Sequence, residues 1–371
     1  MPDKRRAAGQ DNRPRHGGNI YGLAAELGIA HRKVLDFSAS VNPLGISKKV
    51  KAEIRKALKY LPAYPDPECT ALRRQLSKKT GVPDKNIMCG NGSTELIYLI
   101  ARAIKPVRAL IAVPTFSEYE RALSVNGVKE ITLFPIEERD NFELNIEGFI
   151  RGMRDADIAF LCNPNSPTGG VLSRDAVLSI VEHAGQCNCY LVVDEAFVDF
   201  AAQESITSEV SNYPGLMVLR SLTKFYALSG LRLGAMFFHD DVSTALAANK
   251  EPWSVNSLSQ RAGVAALCDK AYETETFKYL RREKAYIEKM LRRHEISFYP
   301  SKINFYLTRD ERAPVLYEEL RKRGIVLRDC SNFNGLNDNY LRIAVKSHRE
   351  NALLFKNIAS ILRKNNHVIP K

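Results

Sequence analysis

Short, almost unbroken apolar runs alternate with stretches of helical periodicity from about residue 87 to 240. Ala109–Val113, Ile131–Phe134, Ile158–Leu161, Leu191–Val193, Met217–Leu219 and Ala235–Phe238 read as strands buried on both faces. Thr94–Ile104, Ser117–Asn126 and Asp175–Gly185 read as helices. The alternation predicts an α/β unit with a largely parallel sheet, whose ligands bind beyond the carboxyl ends of the strands.

After residue 256 the pattern changes to a long helix, a strand at Ile303–Thr308 and a helix at Pro314–Arg323. Strands at Ile325–Leu327 and Tyr340–Val345 and a last helix from Ser347 complete a compact α+β unit. The first 45 residues belong to neither unit. No internal repeat is evident.

At 371 residues the chain is long enough for two domains and a sizeable core. No apolar run approaches the roughly 18 residues of a membrane span, and no apolar segment follows the charged start, so a cytoplasmic address is expected. Seven cysteines are scattered singly apart from Cys187 and Cys189, without Cys-x-x-Cys pairs or zinc-finger histidines. Reduced thiols and no metal are the expectation. The net charge, 54 − 42 = +12, raises nucleic acid as a partner. Five of the basic residues (Lys4, Arg5, Arg6, Arg13, Arg15) sit in a tail, however. Others lie on a helix near Arg281–Arg293 whose Phe277, Leu280, Ile287 and Leu291 recur at helical spacing, so a solvated charged face is the stronger reading. A small anionic substrate would exploit the same charge.

Three constellations carry chemistry. Cys89-Gly90-Asn91-Gly92-Ser93-Thr94-Glu95 runs into an apolar helix, so it is either an anion cradle or a structural loop with its N-cap. It lacks the third glycine of a dinucleotide fingerprint, and no strand is clear upstream, which disfavours a dehydrogenase. Leu191-Val192-Val193-Asp194-Glu195 places a carboxylate at a buried strand end, and neighbouring strand residues point oppositely. A buried Asp194 needs either a salt bridge or another positive partner, such as a protonated heteroaromatic nitrogen. Finally, Ser221-Leu222-Thr223-Lys224 precedes Gly230-Leu231-Arg232-Leu233-Gly234, suiting a Schiff-base amine beside a phosphate clamp.

In this order the set resembles the fold type I pyridoxal-phosphate enzymes, as do Asn163-Pro164-Asn165-Ser166-Pro167-Thr168-Gly169 and Tyr64-Pro65-Asp66. His16-Gly17-Gly18-Asn19, Asp36-Phe37-Ser38-Ala39, Arg220 to Tyr226 and Pro252-Trp253-Ser254-Val255-Asn256 look more like the threonine-phosphate decarboxylases of cobalamin synthesis than the related histidinol-phosphate aminotransferases. The likeness runs from about His16 to the last helix.

The resemblance implies a large domain at 46–255 with a mostly parallel sheet between helices and a smaller α+β domain at 256–371. Residues 1–45 would be a tail and an arm joining the small domain and the active site. It also implies pyridoxal 5'-phosphate as cofactor. Lys224 would be bonded to it and Asp194 would face its ring nitrogen. Ser93, Thr94, Ser221, Thr223 and Arg232 would hold its phosphate, with Tyr64 reaching across from a second subunit of a homodimer, and Phe116 would cover the ring.

Arg342 would take a substrate carboxylate, and Arg328, His16 and Gly17 a substrate phosphate. Ser166 stands where relatives usually carry Asn against the cofactor oxygen, and Ser40 where the decarboxylases carry Asn beside substrate. The implied reaction is decarboxylation of L-threonine O-3-phosphate to (R)-1-aminopropan-2-ol O-phosphate. L-serine O-phosphate as substrate, or transamination of a histidinol-phosphate type, are the alternatives.

Overall fold

The computed structural model describes residues 16–365, so the basic tail expected at 1–15 lies outside the described residues. Strand β1 (Leu35–Asp36) precedes the main sheet. That sheet is built from β2 (Ile87–Gly90), β3 (Arg108–Val113), β4 (Glu130–Pro135), β5 (Ile158–Cys162), β6 (Tyr190–Asp194), β7 (Leu216–Ser221) and β8 (Gly234–Phe238). Its seven strands lie in the order β2-β8-β7-β6-β5-β3-β4. Every pairing from β7 to β4 is parallel, whereas β8 is antiparallel to both β7 and β2.

The apolar runs are unbroken because the sheet is covered on both faces. Leu110 and Ala112 of β3 join one core cluster, and Ala109, Ile111 and Val113 join the other. Successive residues of β6 divide likewise, with Leu191 and Val193 on one side and Val192 on the opposite side. Helix Ser93–Ile104 supplies Leu96, Ile97, Leu99 and Ile100 to the second cluster, all fully buried.

The small domain holds β9 (Ser297–Phe298), β10 (Phe305–Arg309), β11 (Ile325–Val326), β12 (Arg328–Asp329) and β13 (Tyr340–Ala344). Four of these form an antiparallel sheet in the order β12-β13-β10-β9. β11 pairs instead with β1, parallel, and Phe37 O accepts from Ala344 N at 3.0 Å, so the segment before residue 38 is sewn onto the small domain.

Four local expectations are corrected. Ile87–Gly90 is a strand, so the glycine-rich loop does follow one. The long helix is two, Ser257–Leu267 and Lys270–Arg293, because the Asp269 side chain accepts from Tyr272 N and starts a new helix. The strand expected at Ile325–Leu327 divides into β11 and β12, which serve different sheets. Phe277 is 42% exposed and lies off the buried stripe that Leu280, Ile287 and Leu291 form.

Candidate active site

One pocket lies at the carboxyl ends of β5, β6 and β7, under the small domain. Its lining brings together His16, Gly17, Ser40, Ser93, Thr94, Phe116, Ser166, Asp194, Ser221, Thr223, Lys224, Arg232, Arg328 and Arg342. Tyr64 is the exception: it is 83% exposed and packs at a tilt against Trp253 with ring centroids 5.2 Å apart, outside the pocket of its own chain.

The glycine-rich loop is shaped by close backbone packing. Gly90 of β2 and Ser221 of β7 both pair with Gly234 of β8. A Cβ on Gly234 would stand 2.4 Å from Ser93 N, so only glycine lets β8 pass under the helix start. Gly92 has φ +82°, and a Cβ there would meet the Arg232 guanidinium at 2.5 Å. Because β8 runs backwards, Arg232 enters at the same sheet end as Ser221 and Ser93. Ser221 Oγ and Thr223 Oγ1 lie 2.7 Å apart. Hydroxyls, a helix amino end and a guanidinium thus converge, a donor set suited to a phosphate.

Asp194 ends β6 on the face of Val192, and its Oδ2 accepts from Tyr119 OH at 2.6 Å while Oδ1 accepts from Ala196 N at 2.9 Å. Burial pushes its carboxyl up, and these hydrogen bonds together with the Lys224 charge pull it back. Glu195 points the other way and is held by Ser205 Oγ, Ile206 N and Thr207 Oγ1 at 2.6–2.7 Å. Tyr119 is absent from the motifs; only its place on the apolar face of helix Glu118–Val125, stacked 5.2 Å from Phe160, brings it to Asp194.

Lys224 lies just past β7 with Nζ 5.8 Å from the Phe197 ring centroid. Burial, reinforced by the charges of Arg342 and Arg232, lowers its amine to about 8. Arg328 and Arg342 are directly opposite one another on β12 and β13. Arg342 donates to Ser166 Oγ and to Ser38 O, each at 2.7 Å, and lies 4.8 Å from the Phe305 ring. Arg328 donates to Asn332 Oδ1 at 2.9 Å and lies 4.8 Å from the Phe333 ring. Burial lowers both guanidinium groups, Arg342 to about 10, and the Arg328 charge adds to the effect on Arg342. His16 Nε2 is 2.8 Å from Glu118 Oε1, and its ring lies 5.6 Å from that of Phe116.

The sheet order, the second domain and this lysine-centred pocket define a fold type I pyridoxal-phosphate enzyme. The chain belongs to the aminotransferase class I and II family, whose profile matches residues 32–358. Threonine-phosphate decarboxylase of Salmonella typhimurium is 38% identical over 352 residues, 94% of this chain and 96% of that protein. The crystal structure of histidinol-phosphate aminotransferase from Clostridium acetobutylicum superposes with a TM-score of 0.83 at 29% identity, covering 89% of this chain and 100% of that one. The structure of L-threonine-O-3-phosphate decarboxylase from Porphyromonas gingivalis gives 0.78 at 29% identity, with coverages of 89% and 100%.

The residues present fit the cofactor. The pocket offers a phosphate cradle, an amine for an aldehyde and a buried carboxylate for a ring nitrogen. It also contains Arg342 Nε and Ser40 Oγ, buried polar atoms with no partner among the described residues. Such atoms are costly unless a ligand pairs with them. No helix among the described residues is long and apolar enough to cross a membrane, and no cluster of side chains among them suits a metal ion.

Proposed function

We propose that this enzyme decarboxylates L-threonine O-3-phosphate to (R)-1-aminopropan-2-ol O-phosphate. The observation that carries the reading is the cross-strand pair Arg328 and Arg342, buried and directly opposed in one pocket. Like charges so placed repel, and burial compounds the cost. A substrate with two anionic ends relieves both. A carboxylate would be taken by Arg342, whose Nε has no partner among the described residues, and a phosphate by Arg328 with His16 and the Gly17 backbone at the rim. The 38% identical decarboxylase from Salmonella typhimurium supports the same substrate.

In this reading Ser93, Thr94, Ser221, Thr223 and Arg232 hold the cofactor phosphate, Phe116 covers the ring and Asp194 faces its nitrogen. Bound there, pyridoxal 5'-phosphate supplies an aldehyde that bonds amines and a cationic ring that takes up the electron pair of a broken Cα bond. Tyr119 OH and Ala196 N oppose the effect of burial on Asp194 and aim its carboxyl. Arg342 and Arg328 fix the two acidic ends of the substrate and so select which Cα bond is set for cleavage. Lys224 Nζ carries the proton delivered to Cα. Ser166 and Ser40 stand beside the substrate, Ser166 through its hydrogen bond with Arg342.

The enzyme would work as a homodimer. Tyr64 and Trp253 are 83% and 50% exposed, and Leu58 and Leu61 at 52% and 53% add to the apolar surface from which Tyr64 would reach a second copy's pocket. A single sedimenting species of twice the chain mass is expected, and a monomer that retains full activity would remove Tyr64 from the site.

A second reading, transamination of a histidinol-phosphate type, is favoured by the TM-score of 0.83 to that aminotransferase. Phosphothreonine, phosphoserine and histidinol phosphate, incubated side by side with the holoenzyme, separate the readings. Release of carbon dioxide and a phosphorylated amino alcohol from phosphothreonine is expected. A keto product without carbon dioxide would replace decarboxylation by transamination. A methyl group gives only about 1–3 kcal/mol of discrimination, so phosphoserine should be a poorer substrate and not an inert one.

A further inference from the structure

Glu118 is a buried carboxylate that the reaction above does not use. It is 5% exposed, on the first turn of helix Glu118–Val125 at the pocket rim. Its Oε1 lies 2.8 Å from His16 Nε2, and its Oε2 accepts from Tyr98 OH at 2.8 Å. Arg121 NH1 stands 3.6 Å from Oε1. Burial opposes its ionisation, but the hydrogen bonds from Tyr98 and His16 and the charges of His16 and Arg121 outweigh this and lower its carboxyl.

Its location is informative. His16, Phe116 and Tyr119 line the pocket, whereas the Glu118 carboxylate is covered, with the imidazole bonded to it. An anion here would repel a phosphorylated substrate if it faced the pocket. Bonded to the imidazole it has a different effect, because it holds one ring nitrogen and so fixes the orientation of the ring that lines the pocket. The ring also packs against that of Phe116, with centroids 5.6 Å apart. Backbone contacts seat the same segment: Gly18 N donates to Ser38 Oγ at 2.8 Å, and a Cβ on Gly17 would stand 2.3 Å from Ser38 O.

We propose that Glu118 is a positioning residue for phosphate recognition: it holds His16 by one ring nitrogen and fixes the imidazole at the pocket wall, where it meets the substrate phosphate. Tyr98 supports the carboxylate from behind. The proposal rests on the reading of the substrate as a phosphorylated amino acid and adds to it the residue acting through His16.

The test compares L-threonine O-3-phosphate with unphosphorylated L-threonine by titrating the cofactor absorbance of the wild-type, Glu118→Gln, His16→Gln and doubly substituted holoenzymes. Glu118→Gln should weaken phosphothreonine binding about tenfold and leave threonine binding unchanged. KM for phosphothreonine should rise with kcat nearly unchanged, and Glu118→Asp should restore part of the loss. The double variant should lose no more than His16→Gln alone, since one residue acts through the other. A Glu118→Gln enzyme that keeps the full preference for phosphothreonine, or one that loses both ligands equally, would overturn the role of Glu118 while leaving the substrate reading intact. A wild-type enzyme with no preference for the phosphorylated ligand would overturn both.

Discussion

Tyr119 and Asp194 are joined by a hydrogen bond of 2.6 Å between a phenol and a carboxylate that are both buried. Tyr119→Phe keeps the ring and its stacking on Phe160 but removes the only side-chain hydroxyl bonded to that carboxylate among the described residues. Asp194 then rises further under burial and holds a cationic ring nitrogen less well. A hydrogen bond to a charged group is worth about 1.5–3 kcal/mol, so kcat should fall roughly ten- to a hundredfold. Cofactor retention on dialysis should fall with it. Unchanged kcat and retention would remove Tyr119 from the site.

The Lys224 amine, lowered from 10.5 to about 8, gives a pH profile for cofactor capture by the apoprotein. Only the neutral amine attacks an aldehyde. With a depressed value, about a tenth is neutral at pH 7 and about nine-tenths at pH 9. The capture rate should therefore rise across this window and level off above it. Stopped-flow absorbance measures it, and a rate still climbing tenfold per pH unit at pH 9 would contradict the lowered amine. Lys224→Ala should lose borohydride-fixed cofactor and roughly a thousandfold in turnover.

Arg342→Lys keeps a charge but not the planar fork that spans Ser166 Oγ and Ser38 O at 2.7 Å each. KM for phosphothreonine should rise about 10- to 100-fold, with a smaller effect on the decarboxylated product as a competitive inhibitor. Equal effects on both ligands would show that Arg342 does not meet the carboxylate.

Gly234→Ala tests the packing beneath the phosphate cradle. Its Cβ would meet Ser93 N at 2.4 Å and the Gly92 carbonyl carbon at 2.7 Å, backbone atoms that must move. Overpacking of this kind costs roughly 1–3 kcal/mol. The loss should appear chiefly as weaker cofactor affinity, read by equilibrium dialysis of pyridoxal phosphate.

Much of the fold is legible in the chain because a sheet covered on both faces demands apolar runs such as Ala109–Val113 and Ala235–Phe238. β2 is not, since Ile87–Gly90 is short, lies at the sheet edge and ends in the glycine that β8 requires as a neighbour. The break at Asp269 is hidden because apolar positions continue on both sides of it. In the pocket, Lys224, Asp194 and the cradle residues are recognisable as motifs. The opposition of Arg328 to Arg342 depends on strand register, and no local pattern encodes it. Glu118 reads as one more polar helix residue, because its partners His16 and Tyr98 are 102 and 20 positions away.

The reversed course of β8 would let one small anion clasp chain segments that are distant in sequence. Asn91–Thr94, Ser221–Lys224 and Arg232 come from three separate passes of the backbone, and Gly234 lies between the first two. Whatever binds the native cradle and not the unfolded chain adds its binding energy to folding, by about 2.7 kcal/mol at a hundredfold excess over Kd. The loaded protein should thus resist heat better than the empty one, and in a cell short of vitamin B6 its abundance would follow the supply of cofactor.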